Sequence, residues 1–175
     1  MAPNPRSEKI KQVTNRITQN CSTEYDVALA VHDYIAQIIS YDMDAYNKIL
    51  NNENFDYRKV SDASMVLDSC LGVCVGYSNL AVAMFTSIGI SAKTLSCYAL
   101  GQSTEGKWSR KNVQSGSNHV ITAVYVNNRW VLMDITWDAA NEYQNGSIKK
   151  KRSFCRVYFD PTFQFLSCTH KLLLN

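Results

Sequence analysis

One segment near the middle of the chain, residues 119–136, constrains the fold more than any other. It reads HVITAVYV, then Asn127-Asn128, then RWVLMDIT. Two runs rich in β-branched and aromatic residues around an Asn-Asn pair are typical of a β-hairpin. Because both alternating faces of each run are largely apolar, the sequence predicts that this hairpin lies inside a sheet and not at its edge.

The turn of this hairpin sets which side chains lie opposite one another. With a two-residue turn, Val126 faces Arg129. Continuing that register outward places His119 and Asp134 on one face of the sheet as diagonal neighbours, roughly 7 Å apart. A buried carboxylate needs a partner, and His119 is the available one. The sequence therefore predicts a hydrogen bond between His119 and Asp134.

Helical patterns fill the first half of the chain and strand patterns the second. Ser22 or Thr23 can cap a helix over 24–39, and Gly89 can end a helix that begins close to Cys74. The other predicted elements are helical segments at 10–17 and 61–67 and strands at 91–100 and 153–159. Helices followed by mostly antiparallel strands indicate an α+β domain.

Length and charge bound the organisation and the partners. A chain of 175 residues with 46% hydrophobic residues fits one globular domain. We predict an N-terminal segment or linker with a helix at residues 1–22 and the functional domain at 23–175. A net charge of +3 is too small to indicate nucleic-acid binding. The basic run 149–152 is typical of a solvated loop, with a phosphate or anionic-surface contact as the alternative.

The sequence contains no apolar stretch of the roughly 20 residues that span a bilayer. Its first residues also lack the apolar core of a signal peptide. The chain as written is therefore expected to be soluble, without a membrane span. Its compartment stays open, because an extracellular or cell-surface domain trimmed of its signal peptide would look the same.

The stretch LGVCVGYS places Cys74 between Gly72 and Gly76, just before a helix. Cysteine reacts as the thiolate, which a helix N-terminus and a neighbouring imidazole both favour. The glycines would let a substrate backbone approach and leave N–H groups free to hold an oxyanion. We predict Cys74 as nucleophile, His119 as base and Asp134 as orienting acid. The alternative is a structural His–Asp pair beside an unrelated cysteine.

The other cysteines allow a competing interpretation. Four groups that zinc accepts occur in the chain: Cys70, Cys74, Cys168 and His170. Their spacing matches no compact zinc motif, and a zinc site leaves Asp134 unexplained, so we predict no metal and no cofactor. If His170 is not a zinc ligand, its expected role is structural. The disulfide pairing of the six cysteines stays open.

Three segments resemble the transglutaminase-like superfamily: Gly72-Val73-Cys74-Val75-Gly76-Tyr77-Ser78, Ser117-Asn118-His119, and Trp130-Val131-Leu132-Met133-Asp134-Ile135-Thr136-Trp137-Asp138. Bacterial members carry, in this order, a G-x-C-x-G-Y segment, a histidine at a strand start and a W-x-x-x-D-x-T-W-D segment. The resemblance runs from about residue 23 to the C-terminus. It implies a papain-like fold, in which a helix carrying Cys74 packs on an antiparallel sheet carrying His119 and Asp134, the family's catalytic positions.

Two features depart from the family pattern. Many relatives have an aromatic residue soon after the histidine, whereas V-I-T follows His119 here. No tryptophan or obvious glutamine oxyanion donor precedes Cys74 at a convincing position. Tyr41 is therefore the candidate for that role, with packing at its helix end as the alternative. Trp108, in the Gly/Ser/Lys-rich loop 101–117, either lines a substrate groove or anchors the loop.

These residues predict a cysteine-dependent acyl-transfer enzyme that forms a thioester on Cys74 from a peptide or side-chain amide. Water as acceptor would make it a protease or amidase, which we favour because hydrolysis needs no second binding site. Two alternatives stay open: a protein-glutamine transglutaminase with an amine acceptor, and a non-catalytic domain that binds protein or cell wall. The expected partner is a protein or peptide substrate, and the oligomeric state is open.

Overall fold

The helices of the chain lie mainly before residue 90. The computed structural model describes residues 8–101, 108, 116–150 and 153–173. Thr23 caps the second helix through a capping box: its side chain accepts from the Asp26 N–H (3.1 Å), and the Asp26 carboxylate accepts from the Thr23 N–H (3.0 Å). The predicted helix and its cap are thus confirmed. The helices are α1 (Glu8–Thr18), α2 (Glu24–Ile38), α3 (Met43–Leu50), α4 (Arg58–Ser61), α5 (Ala63–Ser69), α6 (Cys74–Ser87), α7 (Ile135–Asp138) and α8 (Phe163–Ser167).

Within the described ranges the strands form two sheets. The strands are β1 (Ser40–Asp42), β2 (Leu71–Gly72), β3 (Ala92–Ala99), β4 (His119–Val126), β5 (Arg129–Met133), β6 (Asn141–Gln144), β7 (Ser147–Lys150) and β8 (His170–Leu172). The first sheet is antiparallel, in the order β5-β4-β3-β8. The second has the order β2-β1-β6-β7, and β1 runs parallel to both of its neighbours. The predicted α+β class is confirmed.

The central hairpin has the predicted register but not the predicted position. Val126 pairs with Arg129, and the two turn asparagines have positive φ (49° and 61°), as a tight primed turn requires. The prediction that the whole hairpin lies inside the sheet is wrong, because β5 is the outer strand among the described residues. The Trp130 side chain is 44% exposed on it, and only a bridge from Met133 to Phe159 continues the pairing.

Helix α6 is the central element of the core. Its residues 76–85 are all buried, because it packs against α1, α2 and α5 as well as β4. Two side chains fix its orientation: the Ser78 hydroxyl donates to the Val120 carbonyl (3.2 Å), and the Tyr77 hydroxyl donates to the Ile39 carbonyl (2.8 Å). The first links α6 to β4 and the second links it to the chain entering β1. The start of α6 is therefore held between the two sheets.

Several predictions about peripheral segments need correction or lie outside the described residues. The predicted strand at 153–159 is absent apart from the bridge at Phe159. The hairpin of β6 and β7 was not predicted, because its residues are mostly polar and half-buried or exposed. Lys149 and Lys150 are exposed in β7, and 151–152 lie outside the described residues. Of the predicted loop 101–117, only 101, 108, 116 and 117 are described.

Helix α1 belongs to the main core. Ile10 is fully buried in the same cluster as the apolar residues of α2 and α6. The proposed division of the chain after residue 22 stays a prediction. Across the helices that the structure describes, none has both the length and the apolar character needed to cross a membrane.

Candidate active site

Cys74 is the first residue of α6, as the sequence predicts. The residue before it, Val73, has an extended conformation, and its N–H donates to the Val60 carbonyl (3.1 Å). The thiol is partly exposed. At the start of a helix the first N–H groups have no intrahelical partner, and the helix dipole favours negative charge. The position therefore suits a thiolate.

His119 is the first residue of β4 and has little freedom to move. Its neighbour Asn118 makes two hydrogen bonds to Ala99: the side-chain oxygen accepts from the N–H (2.8 Å), and the side-chain amide donates to the carbonyl (3.0 Å). His119 itself pairs with Cys97 of β3. Only 8% of the residue is exposed. The strand start thus presents the imidazole in a defined orientation.

Asp134 lies at the N-cap of α7 and contacts His119 directly. His119 Nε2 is 2.7 Å from Asp134 Oδ2, and since an ionised carboxylate only accepts, Nε2 carries the hydrogen. The other carboxylate oxygen, Oδ1, accepts from the Trp137 N–H (3.1 Å). Asp134 is 1% exposed. The predicted contact is present, while the catalytic roles of these residues stay predictions.

The charges of the site follow from burial and from these contacts. Burial lowers the pKa of His119, but the charge and hydrogen bond of Asp134, together with the neighbouring Cys74, outweigh it and raise the pKa to about 10. Burial raises the pKa of Asp134, but the histidines around it hold that pKa below its usual range. At neutral pH the pair is thus an imidazolium and a carboxylate. Cys74 is close enough to the same ring to contribute to its raised pKa.

His170 also belongs to this site, although the sequence alone did not place it there. It opens β8 and is buried, and its Nε2 is 3.0 Å from Asp134 Oδ2, the oxygen that also contacts His119. Its ring packs on Trp137, with centroids 4.6 Å apart. No strand signal in the sequence places residues 169–170 next to β3, so the contact could not be predicted from the sequence.

A metal site is a second possibility that the side chains allow. The ligand atoms of His119, Asp134 and His170 lie within 4.8 Å of one another, and all three residues are buried. Hydrogen bonds of 2.7 and 3.0 Å already account for those atoms without an ion. The zinc set considered from the sequence is not brought together in the described part of the chain, because Cys168 is exposed near α8 and donates to the Gln164 carbonyl.

A cavity of about 390 Å³ reaches the His119 ring from the side of the second sheet. Tyr41 of β1 lines it, with its ring against Tyr46 (centroids 5.8 Å apart). Burial, and then the proximity of Cys74, raises the pKa of Tyr41, so its hydroxyl stays protonated. The residues that line the cavity are Tyr41, Met43, Tyr46, Ala99, Gly101, Asn118, His119, Thr136, Trp137, Ala139, Ala140, Asn141 and Glu142.

The two glycines around Cys74 face the protein interior. A Cβ at Gly76 would lie 2.2 Å from the Val60 carbonyl oxygen, and a Cβ at Gly72 would lie 3.2 Å from a methyl group of Val66. The Gly76 N–H donates to the Val73 carbonyl (2.7 Å), so it is not free to hold an oxyanion. The absence of side chains here serves close packing of the helix start.

The Trp108 side chain contacts the segment just before β8. Its indole N–H donates to the Cys168 carbonyl (3.2 Å), and the Lys171 ammonium lies 4.8 Å from the ring centroid. The Tyr98 ring packs nearby, with centroids 6.3 Å apart. These contacts fit the anchoring alternative, and a substrate contact by Trp108 stays a prediction.

Comparison with known proteins gives one match to a family model and several matches to solved structures. A family model described as the transglutaminase-like superfamily matches residues 11–135. A crystal structure of a TGase is 24% identical, with a TM-score of 0.58, and the match covers 87% of this chain and 36% of that chain. Comparison with curated protein sequences found no significant match.

Two further solved structures share the fold. A candidate cysteine protease from Cytophaga hutchinsonii is 17% identical, with a TM-score of 0.56, over 99% of this chain and 49% of that one. A candidate protease from Parabacteroides distasonis is 15% identical, with a TM-score of 0.50, over 73% of this chain and 23% of that one. The chain thus spans less than half of each solved chain. The predicted fold, with the Cys74 helix packed on an antiparallel sheet, is confirmed.

Proposed function

Because the chain belongs to the transglutaminase-like superfamily, we propose that it is a cysteine-dependent acyl-transfer enzyme acting on peptide or side-chain amides. The observation that carries the proposal is the 2.7 Å contact of His119 with Asp134, next to a cysteine at a helix N-terminus. Cys74 is the proposed nucleophile, His119 the acid and base, and Asp134 the residue that orients His119 and balances its charge.

The proposed reaction has two halves. The Cys74 thiolate attacks the amide carbonyl carbon, and the carbonyl oxygen becomes an oxyanion. The His119 imidazolium gives its proton to the leaving nitrogen as the C–N bond breaks, which leaves a thioester on Cys74 and a neutral imidazole. Neutral His119 then takes a proton from the acceptor, water or an amine, as it attacks the thioester. The C–S bond breaks, and the thiolate and imidazolium are restored.

The oxyanion that forms in each half of the reaction needs hydrogen-bond donors. Two groups near the site are candidates for this role. Tyr41 lines the same cavity as His119, and its hydroxyl stays protonated because burial raises its pKa. The backbone N–H of Cys74 is the first of α6 and has no intrahelical partner. We propose these two groups as the donors, which leaves Gly72 and Gly76 with a packing role.

Hydrolysis is the preferred outcome, because it requires only that water reach the thioester. Transamidation is the alternative, since the same side chains serve either acceptor. The two are separated by incubating the protein with a glutamine-containing protein and a fluorescent primary amine, and by measuring both amine incorporation and ammonia release. Ammonia without incorporation supports hydrolysis. Incorporation that Cys74→Ala abolishes and Cys168→Ala leaves intact supports a transglutaminase.

A non-catalytic binding domain is the remaining alternative, and thiol labelling distinguishes it. Iodoacetamide at slightly acidic pH should modify Cys74 before Cys168, although Cys168 is the more exposed cysteine. His119→Ala should slow the reaction at Cys74 and leave Cys168 unchanged. Labelling that follows exposure alone, with Cys168 first in both proteins, would refute the enzyme proposal.

A further inference from the structure

Asp134 accepts hydrogen bonds from two histidines through one oxygen. Its Oδ2 is 2.7 Å from His119 Nε2 and 3.0 Å from His170 Nε2. Since the carboxylate only accepts, both rings present an N–H to it. One positive ring already balances the carboxylate, and a second positive ring would be an uncompensated charge in a buried site. His170 therefore fits as the neutral tautomer with its hydrogen on Nε2.

The other nitrogen of His170 fixes that tautomer. Nδ1 is 2.9 Å from Thr169 Oγ1 and, without a hydrogen of its own, accepts from the hydroxyl. Thr169 Oγ1 is in turn 3.4 Å from the Tyr158 hydroxyl and 3.5 Å from the Leu166 carbonyl. With its one hydrogen given to the closer Nδ1, Thr169 Oγ1 accepts from Tyr158. The hydrogen bonds thus run in one direction, from Tyr158 through Thr169 and His170 to Asp134. Such a chain selects which nitrogen of an imidazole carries the proton.

Packing confines the His170 ring. The ring lies 4.6 Å from the Trp137 centroid and 5.5 Å from the Tyr158 centroid, and the residue is 2% exposed. Its backbone pairs with Ala99 of β3. The donor nitrogen is thus held in place by the sheet on one side and by aromatic rings on the other.

We propose that His170 is a positioning residue of this site: it supplies a fixed, neutral N–H that keeps the Asp134 carboxylate ionised and turned toward His119. The inference rests on the proposed function. His170 is not among the residues that line the cavity, and it reaches the site through its hydrogen bond to Asp134, so it acts through Asp134. Its loss would let the carboxylate rotate or take up a proton, and the imidazolium of His119 would lose its counter-charge. The His119 imidazolium, which stabilises the Cys74 thiolate, would then be less stable, and less of the thiolate would form at acidic pH.

Other titratable groups around Asp134 do not replace this donor. Cys97 of β3 faces the carboxylate, but burial, and then Asp134 and Cys74, raise its pKa well above the usual range, so it stays uncharged. The Lys171 ammonium on β8 lies over the Trp108 ring instead. Tyr158 reaches the site only through Thr169. Among these neighbours, His170 is the one that donates to Asp134 Oδ2 besides His119.

The test measures the alkylation rate of Cys74 by iodoacetamide, resolved by peptide mass spectrometry, at about pH 6 and about pH 9.5. His170→Phe keeps a ring but removes the donor, and His170→Gln keeps an amide N–H at similar reach. We expect His170→Phe to slow Cys74 roughly tenfold at the lower pH, as for a shift of one pKa unit in the ion pair, and to leave the higher-pH rate unchanged. His170→Gln should stay within about threefold of wild type at both pH values.

Equal rates for wild type and His170→Phe at the lower pH would overturn the inference, as would equal slowing by His170→Phe and His170→Gln. Thr169→Val, which removes the hydroxyl but keeps the shape, should slow Cys74 in the same pH-dependent way, and it decides the question if His170→Phe does not fold. His119→Ala is the reference. If it slows Cys74 while the His170 and Thr169 variants do not, only this inference fails. If His119→Ala does not change the alkylation rate of Cys74, the proposed function itself is wrong.

Discussion

Replacing Gly76 by alanine should destabilise the protein because the start of α6 has no room for a side chain. The new Cβ would lie 2.2 Å from the Val60 carbonyl oxygen and 2.9 Å from a methyl carbon of Val66. Ordinary contacts of these atoms are longer by about 1 Å, so α6 and the end of α4 must separate. The same movement stretches the 3.1 Å hydrogen bond from the Val73 N–H to the Val60 carbonyl.

The magnitude follows from two opposing effects. Overpacking against backbone costs about 3 kcal/mol, and alanine in place of glycine within a helix returns up to about 1 kcal/mol. The net loss of about 2 kcal/mol should lower the melting temperature by about 4–8 °C in a chain of this size. Thermal unfolding followed by circular dichroism measures it. Gly101→Ala, whose Cβ would meet nothing within 4 Å, is the control. An unchanged melting temperature in Gly76→Ala would refute the packing role of this glycine.

Three further predictions follow from the site and its surroundings. Tyr41→Phe should lower the acyl-transfer rate about 100-fold without unfolding the protein, because one oxyanion donor is lost; an unchanged rate would exclude Tyr41 from that role. The pKa of His119 is raised from 6.5 to about 10, so its contribution to stability is complete below about pH 6.5 and is lost as the pH rises through about 10. The stability difference between wild type and His119→Ala in urea denaturation should shrink over that range, and a constant difference would contradict it. Asp138→Ala should destabilise the protein by about 1–3 kcal/mol for each buried group left unpaired, since His32 Nε2 (3.1 Å) and the Tyr158 N–H (2.9 Å) both lose the Asp138 carboxylate; a loss below about 1 kcal/mol in the same assay would show that these contacts are unimportant.

The hairpin register could be predicted because it depends on local features. A two-residue turn fixes Val126 opposite Arg129, and the period of two along each strand then places His119 near Asp134. The position of β5 in the sheet could not be predicted in this way. Apolar residues on both faces suggested an inner strand. Trp130 instead stays 44% exposed and is covered only in part: the Tyr125 ring packs on it, with centroids 5.4 Å apart, and the Lys93 ammonium lies 4.7 Å from its centroid.

The contribution of His170 could not be predicted because it depends on contacts distant in sequence. His170 lies 36 residues after Asp134, in a strand of three residues that pairs with β3. Such a short strand has no hydrophobic period of its own. The close packing of Gly72 and Gly76 could not be predicted for the same reason. Their neighbours Val60 and Val66 approach only once α4 and α5 have folded against α6.

The central claim is that Cys74, assisted by His119, accepts an acyl group as a thioester. Its most direct test is the reaction with p-nitrophenyl acetate, followed by p-nitrophenol release and by peptide mass spectrometry under acidic conditions that preserve a thioester. We predict a burst of about one equivalent of p-nitrophenol, with the acetyl group on Cys74, abolished in Cys74→Ala and strongly slowed in His119→Ala. A burst that persists in Cys74→Ala, or acetylation spread over other cysteines and unaffected by His119→Ala, would contradict the account.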